Sequence, residues 1–374
     1  MRIGVWPDMA WIAIADRTDP RFSCSGLGAD AGRAETVLQS GDPHALLTCG
    51  TLLIEARLAP DGRPQTLLEW EHSHPWRRGL SLQAIPGGGV VLVVSQGGDV
   101  CHGVVSHDAV NGDDTLRISY SWDAPARKGR LVVEKVGAPG LFMTELRDPP
   151  PLLLRDVQAA TMHPGLRKMD RDVSFFAVST RIEPVGPLPT LDPRVPLCTP
   201  YGYRPLNRIA RGDILRLADG GNEPVLGVLR RTVPACGMLR PVRLRAPYFG
   251  LQQDIVVAPE QRLVIGGSDV EYLFDQEYVL VPARHLVNGT AAHFCAVGPT
   301  ATYGQVLLPT HEAILAAGTV VESLFIGRIR RHQDKLESSL LAGLERARLP
   351  DHAASAYPVL RAFEAITLSE RRAA

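Results

Sequence analysis

Long apolar runs are missing from this 374-residue chain. No stretch approaches the ~20 residues that a membrane-crossing helix needs. Met1 to Asp8 include a proline and an acid where a secretory leader needs an unbroken apolar core. Membrane insertion and leader-directed export are therefore not expected. The expectation is a soluble chain, cytoplasmic or exported by a leader-independent route. Net charge is also missing, since 40 Lys and Arg balance 40 Asp and Glu. A nucleic-acid partner needs a basic field, and the arginines here are scattered. Cysteines are few, at 24, 49, 101, 198, 236 and 295, with no Cys-x-x-Cys pair. That sparsity excludes a disulfide scaffold and leaves buried free thiols. Nothing in the sequence calls for a cofactor.

Glycine (35) and proline (30) are plentiful while aromatics make up only 6%, a mixture that suits many short strands joined by turns. From about residue 50, strand follows strand. Leu116–Trp122 alternates apolar and polar residues with period two, as a strand with one buried face does. Thr51–Leu58 and Gly79–Ile85 nearly repeat that pattern, and Val90–Val94 is a continuous apolar run suited to an interior strand. Turn signals separate them at Pro60-Asp-Gly62, Pro86-Gly-Gly-Gly89, Asn111-Gly112 and Lys128-Gly129. No helical period intervenes, so residues 1–185 are expected to form a two-sheet antiparallel β-sandwich.

The strand order, carried by Thr51–Leu58, Leu67–Trp70, Tyr120–Pro125, Gly129–Glu134 and Asp172–Ile182, resembles the laminin-G/concanavalin-like jelly roll. That resemblance implies binding of a glycan or a protein surface through loops at one rim. The candidate ligand-binding residues are Trp70, Glu71, His72, His74 and Trp76, where indoles could stack on a sugar face and a carboxylate accept from its hydroxyls. A His-x-His such as His72-Ser-His74 holds a metal when a third ligand converges, but none is apparent, so no metal site is expected. A plainer reading puts Trp70 in the core and the histidines in solvent. Glu69 and Glu71 leave a glycan hydrolase open, since the separation of paired carboxylates is spatial.

A proline-rich joint, Glu183–Pro189, ends the sandwich, because proline cannot donate to a sheet ladder. Beyond it stand Thr199-Pro-Tyr-Gly202 leading to Arg211-Gly-Asp213, then Ile255–Arg262, Leu280–Gly289 and Leu308–Glu312, in that order. Together these segments resemble the bacterial branch of the Hedgehog/intein (Hint) family over about residues 190–328. The resemblance implies an all-β domain. It also implies a self-processing site that needs a nucleophile at the domain start and a histidine to protonate the departing amide nitrogen. Counting back from Thr199, the nucleophile position falls on Thr190, whose oxygen is far less acidic than a thiol and whose β-branched stem crowds attack. The histidine position falls on Gln261, an amide that cannot exchange a proton near neutral pH. Cys198 is a tempting alternative nucleophile, although the alignment puts it inside a strand. His311 matches a retained family histidine, and His285 matches the Ala-Arg-His-Leu segment. No terminal His-Asn followed by Cys, Ser or Thr closes the domain, so splicing with ligation is excluded.

Past residue 328 the period becomes helical. Leu336, Leu340 and Leu344 repeat every four residues until Pro350, and a second helix is expected from near Pro358 with Val359, Phe363 and Ile366 as its stripe. The expected architecture is thus mainly β: a sandwich (1–185), a Hint domain (190–328) and C-terminal helices (329–374). The favoured function is a catalytically degenerate Hint protein acting as a binding or structural module. The alternatives are self-cleavage by an acyl shift at Thr190 or Cys198, and glycan hydrolysis by the N-terminal half.

Overall fold

The computed structural model describes residues 11–28 and 45–373, except 60, 75, 109–113, 139 and 297. The first eight residues and the Asn111-Gly112 turn lie outside the described residues. The structure is mostly strand, and the chain divides into two compact units. One holds residues 1–185 with 298–300; the other holds 186–297 with 301–374.

The first unit begins with strands β1 (Trp11–Ala15), β2 (Arg21–Phe22), β3 (Leu46–Leu47) and β4 (Cys49–Arg57). A run of hairpins follows: β5 (Gln65–His72), β6 (Arg78–Ile85), β7 (Gly89–Gln96) and β8 (Asp99–Ser106). Then come β9 (Thr115–Asp123), β10 (Lys128–Lys135), β11 (Leu141–Arg147), β12 (Leu152–Leu153), helix α1 (Leu154–Met162) and β13 (Val173–Ser179). A seven-stranded sheet runs β11-β10-β9-β4-β13-β1-β2 and a four-stranded one runs β5-β6-β7-β8, with antiparallel neighbours throughout. Leu52, Ile54, Ile118, Tyr120 and Trp122 of the first sheet share one core with Leu80, Leu82, Val90, Leu92 and Val94 of the second. This is an antiparallel sandwich.

Several local expectations are corrected. β9 is buried along both faces: Arg117, Ser119 and Ser121 are buried too, and Arg117 lies directly across from Glu55 of β4, Nη2 to Oε2 at 3.4 Å. A cross-strand charge pair lets a polar face leave solvent. The Val90–Val94 run is buried only at alternate residues, with Val93 exposed. Lys128-Gly129 belongs to β10, and the turn is Ala124–Arg127, where Arg127 takes φ 58° and Asp123 Oδ1 accepts from Ala126 N at 3.0 Å. The Pro86–Gly89 turn is as expected: Gly88 has φ 86°, and a Cβ there would stand 2.5 Å from the His107 carbonyl oxygen. Helix α1 was not anticipated. Its buried positions Leu154, Val157, Ala160 and Thr161 do carry a helical period, just after a run of prolines.

The second unit opens with β14 (Pro196–Thr199), β15 (Gly202–Pro205), β16 (Ile214–Arg216), β17 (Asn222–Pro224) and β18 (Gly227–Pro234). Its middle holds β19 (Val242–Leu244), β20 (Ile255–Val257), β21 (Arg262–Gly266), α2 (Ser268–Phe274) and β22 (Tyr278–Pro282). The last strands are β23 (Ala292–Phe294), β24 (Thr300–Leu307), β25 (Ala313–Ala316) and β26 (Thr319–Glu322). A six-stranded sheet runs β15-β14-β25-β26-β21-β22, beside the three-stranded β20-β19-β23 and the pairs β16-β17 and β18-β24.

Helices α3 (Gln333–Glu337) and α4 (Ala362–Ala373) belong to this same compact unit. The leucine repeat does not make one long helix. Ser339 Oγ donates to Leu336 O at 2.8 Å and accepts from Leu341 N at 3.1 Å, a local exchange that competes with the helical ladder. Leu336, Leu340 and Leu341 still pack with Leu307, Leu324 and Ile326. At the second helix the expected stripe is inverted. Phe363 and Ile366 are exposed, while Leu360, Ala365 and Leu368 join the core. The segment before it is extended rather than helical, because Pro358–Leu360 pairs with Leu280.

Candidate functional site

Thr190 is fixed by the backbone around it. Leu191 exchanges hydrogen bonds with Gly304 (3.0 and 2.7 Å), Asp192 N donates to Val256 O at 3.0 Å, and Ala258 N donates to Thr190 O at 2.7 Å. This clamps Thr190 between the end of β20 and β24. Gln261 closes a turn from Ala258 just before β21, its N–H bonded to Ala258 O at 3.0 Å and its carbonyl accepting from Ala283 N at 2.8 Å. The two positions identified from family spacing, 71 residues apart, therefore meet.

The Thr190 hydroxyl donates to Gln261 Oε1 at 2.6 Å. Gln261 Nε2 donates to Arg262 O at 2.8 Å and lies 3.5 Å from Glu322 O. A third side chain, Gln305 of β24, completes the group. Its Nε2 lies 3.0 Å from Gln261 Oε1, 3.2 Å from Thr190 Oγ1 and 3.2 Å from Glu322 O, while its Oε1 accepts from Val306 N at 3.2 Å. Thr190 is 7% exposed, Gln261 0% and Gln305 1%. With carbonyl acceptors facing each Nε2, the two amides can be oriented only one way. The result is a satisfied neutral network in a buried interior. Sequence reasoning missed Gln305. Its signal was one amide within the otherwise apolar run Tyr303–Leu308.

Ionisable groups stand one step back. Glu322 Oε2 is 3.2 Å from Arg262 Nη1 and 3.3 Å from His311 Nε2, and His311 Nδ1 accepts from Ala356 N at 2.9 Å. His311 thus reaches the network through Glu322 and makes no hydrogen bond to Thr190 or Gln261. Cys198 sits apart on β14, paired with Tyr203, its sulfur 3.8 Å from Thr199 O. His285, in the turn after β22, is held neutral: burial, assisted by the adjacent Arg284 charge, pulls its pKa down to about 4.

In the sandwich the aromatic cluster is split. Trp70 lies in the core, whereas Trp76 is 39% exposed with the Arg78 guanidinium 5.9 Å from its ring. Arg78 is buried and makes a bidentate pair with Asp156 of α1 (2.5 and 2.8 Å), also donating to the carbonyls of His74 and Trp76 at 2.5 and 3.1 Å. Arg155 Nη2 donates to the same His74 carbonyl at 3.1 Å. His72 Nε2 approaches Asp156 at 3.7 Å. Both candidate carboxylates have cationic partners, Glu69 with Lys168 at 2.5 Å and Glu71 with Arg77 at 2.6 Å.

Residues 192–328 match the family model described as "Hint domain". Thr190 lies two residues before the matched span. Among solved structures, the MchDnaB-1 intein is similar at 20% identity and TM-score 0.25, covering 36% of this chain and 98% of that one. The Msm DnaB1 intein splicing domain bound with zinc gives 18% identity and TM-score 0.25 over 36% and 98%. The carbohydrate-binding module CBM40 of Ruminococcus gnavus IT-sialidase, bound to α2,3-sialyllactose, gives 16% identity and TM-score 0.23 over 34% and 62%. No curated protein matches.

Proposed function

We propose that the second unit is a Hint scaffold without self-processing activity, serving as a structural or binding module. The observation that carries this reading is the 2.6 Å bond from the Thr190 hydroxyl to the Gln261 amide oxygen. An acyl shift would join Thr190 Oγ to the Pro189 carbonyl carbon and break the Pro189–Thr190 C–N bond. The hydroxyl proton would have to leave and the freed amine would have to gain one. An amide oxygen is too weak a base for the first step. The Gln261 nitrogen, already committed to backbone carbonyls, has no proton to give in the second. Among the described residues, the hydrogen-bond partners of Thr190 Oγ1 are two amides. An ester formed at Thr190 would be opened by hydroxylamine. Treating the purified chain with hydroxylamine at neutral pH should therefore release no fragment ending at Pro189, and release of one would overturn the reading.

For the sandwich, the lectin-like reading narrows to the exposed rim at Trp76, which Arg78 and Arg155 hold in place. The ligand class is a glycan or a protein surface that stacks on an indole. The ion pairs on Glu69 and Glu71 favour binding over hydrolysis. Trp76→Ala should abolish retention on a glycan array without lowering the unfolding midpoint. Unchanged retention would remove Trp76 from the site.

A further inference from the structure

Two buried histidines of the second unit face each other across one seam. His311 stands just before β25, and His352 stands on the segment 350–360 that leads to α4. That segment covers the outer edge of the six-stranded sheet: Leu280 N donates to Pro358 O at 2.7 Å and Leu360 N to Leu280 O at 2.9 Å. The histidines lace it down in opposite senses. From the sheet side, His311 Nδ1 accepts from Ala356 N at 2.9 Å. From the segment side, His352 Nδ1 accepts from Ile326 N at 3.3 Å, and its Nε2 lies 3.2 Å from Leu308 O. The rings are 6.1 Å apart, and Phe325 touches both, at 5.1 and 6.1 Å.

In each ring Nδ1 is the acceptor, so each imidazole is neutral with its proton on Nε2. A second proton can add only at Nδ1, where it would meet an N–H. Neither ring can become charged without losing the bond that fastens the segment. We propose that His311 and His352 form an acid-sensitive clasp, which holds residues 350–360 on the sheet edge and releases them when the rings are charged.

The surroundings favour such a switch. The Glu322 carboxylate, 3.2 Å from Arg262 Nη1, stands 3.3 Å from His311 Nε2, so the nitrogen left for a second proton is the one that binds Ala356. His352 follows Asp351, whose charge is matched by Arg330 at 2.9 Å and Arg331 at 2.7 Å. Burial first, and then Tyr278, Asp219, Glu277 and Glu312, hold the proton on the segment's Tyr357. Burial lowers the proton affinity of His352; the Leu308 and Leu324 carbonyls and Asp351 oppose that shift, and His311 adds to it. The clasp is therefore closed at neutral pH, and two charged rings at this separation repel each other once it opens.

Hydrogen exchange on the full chain tests this, with protection corrected for intrinsic rates. Between pH 7.5 and 5.5, protection at Ala356, Leu360 and Leu280 should fall about tenfold or more, while β21 and β25 keep theirs. The double variant His311→Asn/His352→Asn places an acceptor that cannot be protonated near each Nδ1, so it should keep its neutral-pH protection at pH 5.5. An equal loss in β21 and β25, or the same loss in the double variant, would sink the clasp. Should the variant not fold, ring titration of the native protein by NMR decides. The two imidazoles must titrate together with the Ala356 amide, and rings that stay neutral while that amide is released exclude the mechanism.

Discussion

Thr190 Oγ1 carries one proton, and where that proton goes decides what the residue can do. It goes to Gln261 Oε1, and Gln305 holds the pair from the other side. Truncating Gln305 leaves a buried amide oxygen and hydroxyl short of a donor, a loss of about 1–3 kcal/mol. Gln305→Leu should lower the urea midpoint accordingly, and an unchanged midpoint would mean the network is not structural. The spacing of family motifs identified Thr190 and Gln261. Gln305 was not legible because its meaning is a contact, and no motif encodes a contact. Buried neutral histidines set the pH response. His285 and His352 both have lowered folded-state values, so the stability they contribute is present above the ordinary histidine pKa of about 6.5. It is lost as pH falls from there, through about 4 for His285. Urea unfolding at pH 5 should show lower stability than at pH 7.5, by on the order of 1 kcal/mol after solvent screening. Equal stability at the two values would contradict that assignment.

At the scale of elements, period-two patterns and glycine turns located β4, β6, β9 and the Pro86–Gly89 hairpin. The turn illustrates why: Gly88→Ala would put a methyl 2.5 Å from the His107 carbonyl at φ 86°. That substitution should destabilise the sandwich by more than ~1 kcal/mol, measured by thermal unfolding, and a neutral effect would refute the steric argument. What sequence missed at this scale was tertiary. Local propensity does not reveal that α3 ends at Glu337, just ahead of the Ser339 hydroxyl that bonds Leu336 O, or that Leu360, Ala365 and Leu368, rather than Phe363 and Ile366, turn inward. Nor does it reveal that Arg78 bonds both Asp156 of α1 and the carbonyls of His74 and Trp76, since neither partner marks the other in the chain. Asp156→Ala strands a buried guanidinium and should cost about 3–5 kcal/mol, read as a loss of denaturant midpoint. A loss below ~1 kcal/mol would show the pair to be dispensable.

At the scale of the whole molecule, each unit buries its own hydrophobic residues, and the second adds a further cluster around Leu336, Leu340 and Leu341, as the composition of many short strands allows. The mainly-β architecture was legible for that reason, and the span that matches the Hint family model was legible because several ordered segments recur in sequence. At two positions the sequence offered Thr190 and Gln261 in place of a thiol and an imidazole, and the structure adds that those positions touch. Intact-mass spectrometry of the freshly purified full chain, held for days at neutral pH with and without a thiol, tests the central claim most directly. The account predicts one species at the mass of the uncut chain under both conditions. Two complementary fragments meeting at Pro189–Thr190 or Leu197–Cys198 would contradict it.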